Sequence, residues 1–231
     1  VVFFNSIGYL GVMELTQIPK NVKTLVRSGG NDLAGGWIGI IPVEKHAIPY
    51  DTRLKIIRDA INGMNGKLIV NSEYSLNLAL RLGIRSEKLL KATGGVDTNR
   101  FRPVSQKNKV VLHVGRLVDF KGIDTAIKVF DYSNIALQGW IMKVVGLGPL
   151  RNSLCELISK NGLQNSVFLK EGISFQKTHE VFHSASVFLH FPRGVSQLED
   201  GKQWVHTETM GRVLCEAMAG GLAILTHNEG G

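Results

Sequence analysis

Short apolar runs alternate with stretches whose apolar residues recur every three or four positions, from residue 23 to residue 226. The first kind is rich in Val, Ile and Leu and predicts buried strands at 23–27, 67–71, 110–114, 141–145, 166–170, 186–191 and 222–226. The second kind predicts amphipathic helices at 50–62, 75–82, 122–130, 149–160, 176–184 and 211–219. Pro149 fits a first helical turn, where its missing N–H costs nothing, and Asn161-Gly162 fits the end of the same helix. Strands alternating with helices in this way predict parallel α/β layers.

Polar stretches punctuate the pattern. Residues 104–109, Val-Ser-Gln-Lys-Asn-Lys, read as a linker, which gives expected domains of 1–103 and 104–231. Gly29-Gly30 and Gly35-Gly36 bracket Asn31-Asp-Leu-Ala, a Gly-rich loop placed after a strand and suited to lining a cleft. Residues 193–206 carry few apolar positions and are expected to form a long loop ahead of Glu208; loops of that length are often functional. The chain opens on Val1-Val-Phe-Phe-Asn and stops at Gly230-Gly231 within a pattern, so it is expected to be a piece truncated at both ends.

Composition narrows the class. At 44% hydrophobic and 20% charged residues, the 231-residue chain is that of an ordinary globular protein, and no apolar run approaches the ~18 residues that span a bilayer. Cys155 and Cys215 stand far apart without a C-x-x-C, which fits a reduced, cytoplasmic protein. The net charge of +8 is uneven: residues 1–103 hold 14 Lys and Arg against 8 Asp and Glu, and residues 104–231 hold 13 against 11. A basic first half suits peripheral contact with the inner membrane face or an acidic acceptor. Neither zinc-finger spacing nor an aromatic-studded strand argues for nucleic acid.

Two acidic and two basic positions carry the candidate chemistry. Glu208 and Glu216 lie in His206-Thr-Glu-Thr-Met-Gly-Arg-Val-Leu-Cys-Glu-Ala-Met-Ala-Gly-Gly221, a run that reads as a loop, a Gly turn and a helix start. Helical rise would put the two carboxylates on the order of 10 Å apart, about the span from hexose to ribose in a nucleotide sugar. A carboxylate accepts two hydrogen bonds at once and so suits a pair of hydroxyls. The amides of Met210, Gly211 and Arg212 begin a helix, where anions are favoured. Upstream, Arg116 follows the strand Val110-Val-Leu-His-Val-Gly115 directly, and Lys121 comes five residues later. Cations at the carboxyl end of a strand in an open α/β sheet are placed to neutralise a diphosphate, at ~1.5–3 kcal/mol per charge-assisted contact.

With these residues the chain resembles a retaining glycosyltransferase of family 4, the group 1 type. The resemblance is carried by Gly94-Gly-Val-Asp-Thr-Asn-Arg-Phe-Arg-Pro103, by Gly115-Arg116 with Lys121-Gly122, by Val144-Val-Gly-Leu-Gly-Pro-Leu150 and by the Glu-(x)7-Glu motif of Glu208 and Glu216. It covers nearly the whole chain. It implies an α/β fold of two Rossmann-like domains (GT-B type), both incomplete here, with 1–103 on the acceptor side and 104–231 binding the donor. The implied activity is transfer of a hexose from a nucleoside diphosphate sugar to a saccharide, lipid-linked or small-molecule acceptor, with retention and with neither metal nor cofactor. Catalysis would fall to Glu208, Arg116 and Lys121. Donor binding would add Gly115, Gly148, Thr209, Met210, Gly211 and Glu216. The family's sugar-contacting His is missing from Arg27-Ser-Gly-Gly-Asn-Asp32, so either Asn31, Asp32 or Arg27 takes over on the acceptor side or that contact is absent. A silent sugar-nucleotide-binding scaffold and a sugar-nucleotide epimerase share the fold and remain alternatives.

Rival motifs are weaker. His179-Glu-Val-Phe-His183 spells H-E-x-x-H, but a strand follows at once where a zincin needs a longer helix. Gly146-Leu-Gly148-Pro-Leu-Arg151 starts as a dinucleotide fingerprint and ends in Arg, without the third Gly; Gly148 then serves either a close backbone approach to the donor or a tight turn alone. No Asp-x-Asp appears, in keeping with phosphate neutralised by side chains. His113 reads as core, and Trp37, Trp140 and Trp204 as packing, with Trp204 near the expected sugar.

Overall fold

A computed structural model describes residues 1–7, 12–36, 48–105, 108–199 and 202–230. Trp37, residues 106 and 107 of the expected linker, and the side chains of Asn31 and Trp204 lie outside the described residues. The first elements are β1 (Val2–Phe4), α1 (Val12–Gln17), β2 (Thr24–Arg27), α2 (Asn31–Ala34), α3 (Tyr50–Gly63), β3 (Gly66–Val70), α4 (Glu73–Arg81) and β4 (Leu89–Lys91). Then come β5 (Val110–Val114), α5 (Ile123–Tyr132), β6 (Ile141–Val145), α6 (Arg151–Lys160), β7 (Val167–Lys170), α7 (Thr178–His183) and β8 (Val187–His190). The last are β9 (Val195–Glu199), β10 (Lys202–His206), α8 (Arg212–Ala219) and β11 (Ala223–Thr226). By contacts the chain divides into one unit of 1–94, 194–210 and 230–231 and another of 95–193 and 211–229. Both are Rossmann-like α/β units built on parallel sheets.

The first unit carries a parallel sheet in the order β1-β2-β3-β4. Val26, Leu68 and Val70 pack from it against Ile57 and Ile61 of α3 and Leu15 of α1. Gly66 opens β3 against Thr24, whose carbonyl oxygen would lie 1.7 Å from any Cβ added there. Ser72 caps α4: its hydroxyl accepts from the Ser75 amide at 3.1 Å, and the Ser75 hydroxyl accepts from the Ser72 amide at 3.0 Å.

Two expectations give way in this unit. Residues 195–199 and 202–206 pair as antiparallel strands, β9 with β10, where a loop was expected. Val195-Ser-Gln-Leu-Glu and Lys202-Gln-Trp-Val-His pair with each other in a sheet of two, so they lack the apolar face that marks a strand in sequence. The Gly-bracketed stretch Asn31–Ala34 is a short helix, started by the Asp32 carboxylate. The edge strands β1 and β4 have three residues each, too few to show a period.

The second unit carries five parallel strands in the order β11-β8-β5-β6-β7. Val110 to His113 of the central strand are buried, as expected for a parallel strand covered on both faces. On one face Val111, Met142 and Val144 meet Ile127 and Phe130 of α5 and Leu154 of α6. On the other, Leu112 and Phe188 meet Phe182 of α7 and Ala217 of α8. Each such large apolar side chain contributes ~1.5–3 kcal/mol by leaving water. Helix α6 starts at Arg151 after a Leu150 cap, so Pro149 precedes the helix instead of opening it. Asn161 and Gly162 (φ 69°) end it as expected. Successive connections run from β5 outward to β6 and β7, then return to β8 on the other side of β5, so the strand order reverses between β5 and β8. Open α/β sheets bind ligands in the crevice beyond such a reversal. Among the described residues, no helix is long and apolar enough to cross a membrane.

Two stability predictions follow from this core. Gly122 sits at φ 61°, and a Cβ there would lie 1.7 Å from the Phe191 carbonyl oxygen. Gly122→Ala should therefore cost about 2 kcal/mol or more, the left-handed penalty plus the clash, and lower the urea midpoint; an unchanged midpoint contradicts the packing. His113 is fully buried, and burial, with help from the nearby His190 and Lys121 charges, holds its pKa down to about 3 against an ordinary 6.5. Between those values the unfolded chain binds a proton here that the native chain does not. Stability should fall as pH drops below about 6.5, by up to ~1.4 kcal/mol per unit at this site. His113→Gln should reduce that slope in unfolding experiments between pH 6.5 and 5; an equal slope in both proteins refutes a neutral buried imidazole.

Candidate functional site

The turn after β5 brings Gly115, Arg116 and Lys121 to the strand-order reversal of the second unit. It is held by main-chain bonds from the neighbouring turn: Gly115 N–H to the Val145 carbonyl at 3.1 Å, Leu117 N–H to Leu147 at 2.8 Å, and Leu150 N–H to Leu117 at 3.1 Å. Leu117 itself is fully buried and anchors the turn from below. Glycines make the approach possible: a Cβ at Gly146 would lie 1.8 Å from the Gly115 oxygen, and one at Gly148 2.4 Å from the Leu117 oxygen. Of the two uses expected for Gly148, the structure shows the tight backbone packing.

The turn ends in a single 3-10 turn, Asp119–Lys121, closed by Gly122 N–H to the Asp119 carbonyl at 3.1 Å. Arg193, just beyond β8, fastens its outer side. Its amide donates to the Phe120 carbonyl at 2.9 Å, and its guanidinium pairs with Asp119 and, at 3.1 Å, with Asp124. Burial opposes charge on Asp124, but the Arg193 hydrogen bond and charge, with the Thr125 amide and Lys128, hold its carboxyl below the usual range. These partly exposed pairs add no more than about 1 kcal/mol each. Arg116 and Lys121 stand over the Phe120 ring, with the Arg116 guanidinium carbon 5.6 Å and the Lys121 ammonium 5.3 Å from its centroid. Two cations thus gather around one aromatic ring at the carboxyl end of the central strand.

Glu216 belongs to the same unit. It lies on α8, which packs against β8, β11 and α7 and follows Gly211 at φ 61°. Glu216 is only 6% exposed, and its carboxylate is 3.5 Å from the Arg212 guanidinium. Burial pushes its carboxyl up, while the charges of Arg212 and Arg100 pull the other way. Those two arginines meet at Phe175: Arg100 lies 4.6 Å and Arg212 5.9 Å from its ring centroid, and Arg100 donates to the Gln176 carbonyl at 3.2 Å. A buried carboxylate with one loose ion pair retains acceptor capacity for paired hydroxyls.

Glu208, Thr209 and Met210 group by contacts with the first unit. They follow β10 and precede α8 in irregular chain, so helical rise does not set the spacing of Glu208 from Glu216. Glu208 is half-buried, and a Cβ at Gly230 would lie 2.5 Å from its carbonyl oxygen. Thr209 is buried; its carbonyl accepts from the Ser72 hydroxyl, and its own hydroxyl crowds Gly30. The Met210 thioether lies over Gly94. Asp32 has a different task from the acceptor-side one expected. Its buried carboxylate accepts from the amides of Gly29 (2.7 Å), Gly30 (3.1 Å) and Leu33 (2.9 Å) and from the hydroxyls of Ser28 (2.5 Å) and Ser6 (3.4 Å). Those donors fill its lone pairs and hold the Gly-rich turn together. Asn31 opens α2.

Residues outside the sequence motifs also contribute. Arg193 was legible by the logic that singled out Arg116, a cation just past a strand end. Arg100 and Phe175 carried no local signal. His183 of the H-E-x-x-H run directs Nε2 at the Arg100 carbonyl, 3.1 Å away, and His179 stands edge-on to Phe101 at 6.4 Å, so both histidines pin the chain before β5 to α7.

Known proteins give the arrangement a family. A profile described as glycosyl transferases group 1 matches residues 96–231. A mannosyltransferase of Mycobacterium tuberculosis, GDP-mannose-dependent and acting on phosphatidylinositol monomannoside, is 28% identical over 152 residues, covering 59% of this chain and 37% of its own length. An uncharacterized glycosyltransferase of Haemophilus influenzae is 29% identical over 125 residues, covering 53% and 30%. Among solved structures, Anabaena Alr3699/HepE in complex with UDP superposes with a TM-score of 0.68 at 18% identity, over 90% of this chain and 54% of that one. WaaG, a glycosyltransferase involved in lipopolysaccharide biosynthesis, gives 0.67 at 18%, over 100% and 60%. The chain thus spans about a third of the curated relatives' length and little more than half of these solved structures. The profile match takes in the Gly115–Gly122 turn, the buried carboxylate of α8 and the whole five-stranded sheet, and on that ground the chain belongs to the group 1 glycosyl transferases.

Proposed function

We propose that this chain supplies the donor-binding part of an enzyme that moves a hexose from a nucleoside diphosphate sugar to a hydroxyl acceptor, with retention and without a metal. One observation supports this most: two cations, Arg116 and Lys121, held around Phe120 on a turn locked at the strand-order reversal. The relatives include a GDP-mannose-dependent enzyme and a protein solved in complex with UDP, which is in keeping with this donor class.

In this reading Arg116 and Lys121 grip the diphosphate and stabilise it as it leaves. Negative charge grows on its oxygens as the anomeric bond breaks, and fixed cations stabilise the transition state more than the ground state. Those two charges take the part that a divalent ion plays in metal-dependent transferases. Glu216 accepts from the ribose hydroxyls. Glu208 is assigned to the hexose hydroxyls on the motif alone. Retention follows if the acceptor attacks on the face that the phosphate leaves, with the phosphate taking the acceptor's proton. The sugar passes to a saccharide, lipid-linked or small-molecule acceptor.

Lys121→Met and Arg116→Met should each weaken UDP or GDP binding by about 10–100-fold, the loss of one charge-assisted contact. Titration calorimetry reads this directly, and unchanged affinity for both probes in both variants sinks the donor site. In turnover assays of the full-length protein, free nucleoside diphosphate should appear only with acceptor, and a chelator should leave the rate unaltered. Binding without release marks a scaffold, and interconversion of the sugar without acceptor marks an epimerase.

A further inference from the structure

Glu208, Thr209 and Met210 lie in irregular chain between β10 and α8, so their main-chain groups depend on partners outside a strand ladder or a helix. Thr209 is buried, and a buried carbonyl calls for a donor. The donor is the hydroxyl of Ser72, 137 residues earlier in the chain. Glycines admit the segment at three further points. A Cβ at Gly30 would lie 2.1 Å from Thr209 Oγ1, one at Gly94 2.8 Å from Met210 Cε, and one at Gly230 2.5 Å from the Glu208 carbonyl oxygen. Ser72 and all three glycines group by contacts with the first unit, as the segment itself does.

Ser72 is held in place by its own helix. Its hydroxyl oxygen caps α4 by accepting from the Ser75 amide at 3.1 Å, and the Ser75 hydroxyl accepts from the Ser72 amide at 3.0 Å. A hydroxyl has one hydrogen and a carbonyl can only accept, so that hydrogen goes to Thr209. The capping box thus fixes both the oxygen and the backbone of the residue that anchors Thr209. We propose that Ser72 is a positioning residue for Glu208: its bond to the Thr209 carbonyl fixes the main chain from which the Glu208 carboxylate holds the hexose of the donor. This rests on the reading that assigns Glu208 to the hexose.

The nucleotide end of the donor should not feel Ser72, because Arg116, Lys121 and Glu216 belong to the second unit. Loss of the anchor loosens the main chain at Glu208. It therefore weakens the hold on the hexose and leaves the hold on the diphosphate and ribose intact. Transfer suffers as well, because a displacement on the order of 1 Å can cost about 100-fold at a reacting centre.

The test compares binding of UDP-glucose with that of UDP, and of GDP-mannose with that of GDP, by calorimetry on the full-length protein, with melting curves to confirm folding. Ser72→Ala removes both the cap and the anchor. Ser72→Asp keeps a capping acceptor but has no hydrogen for Thr209, and Ser72→Thr keeps both roles. Ser72→Ala and Ser72→Asp should weaken nucleotide-sugar binding roughly 3–10-fold and lower kcat, with bare nucleotide within about twofold. Ser72→Thr should stay near the unsubstituted protein in both. In a Glu208→Gln background, Ser72→Asp should add nothing. Equal weakening of nucleotide and nucleotide sugar, unchanged nucleotide-sugar binding in Ser72→Asp, or full multiplication with Glu208→Gln overturns the proposal. The carbonyl carbon resonance of Thr209 reads the anchor without a ligand. It should move in Ser72→Asp and hold in Ser72→Thr; a stationary resonance in Ser72→Asp refutes the bond. If Glu208→Gln leaves nucleotide-sugar binding and kcat unaltered while the resonance moves, the hexose reading of Glu208 fails and the Ser72–Thr209 anchor stands.

Discussion

Backbone-to-backbone approach of three turns around Gly115–Gly122 is the constraint on which the second unit depends. Gly146 meets the Gly115 carbonyl, Gly148 the Leu117 carbonyl, and Gly122 the Phe191 carbonyl, each closer than a side chain permits. The turn is thereby fixed from both neighbouring strand ends, β6 and β8, and its cations need no bulky scaffold of their own. A turn set by main-chain contacts also has little conformational freedom to lose. Arg193 reinforces the same turn from outside through Asp119 and Asp124.

Around this turn the charges are graded by depth. The histidines deepest in the sheet, His113 and His190, are wholly buried, and His113 is kept neutral there. Glu216 is buried more shallowly, its carboxyl raised by burial and restrained by Arg212 and Arg100. Arg116 and Lys121 stand farther out, over the Phe120 ring.

The fold was largely legible because its main strands are continuous apolar runs and its helices have regular apolar faces. Strands 110–114 and 141–145 stand where the pattern put them, to the residue. The pair of strands 195–199 and 202–206 was not legible, because its residues show no alternation of apolar and polar positions. The Asn31–Ala34 turn misled for a related reason. Glycines and Asp favour both a loop and a helix start, and only the partners of Asp32, from Ser6 to Leu33, decide between them. On the site, Arg116, Lys121 and Glu216 could be singled out by position relative to strand and helix ends. Arg100 and Phe175 meet across 75 residues of sequence, a pairing that no local pattern encodes.

Sequence alone determined the strand and helix periods, the placement of two cations beyond a central strand, and the spacing of two glutamates, because each is a property of neighbours along the chain. Tertiary structure decided the order of strands and hence the crevice between β5 and β8. It decided that the Asp32 oxygens serve their own turn, and that the buried His113 ring meets the Leu189 carbonyl. These are pairings in space, and burial makes them selective: a polar atom away from water must take whatever partner the fold brings within reach.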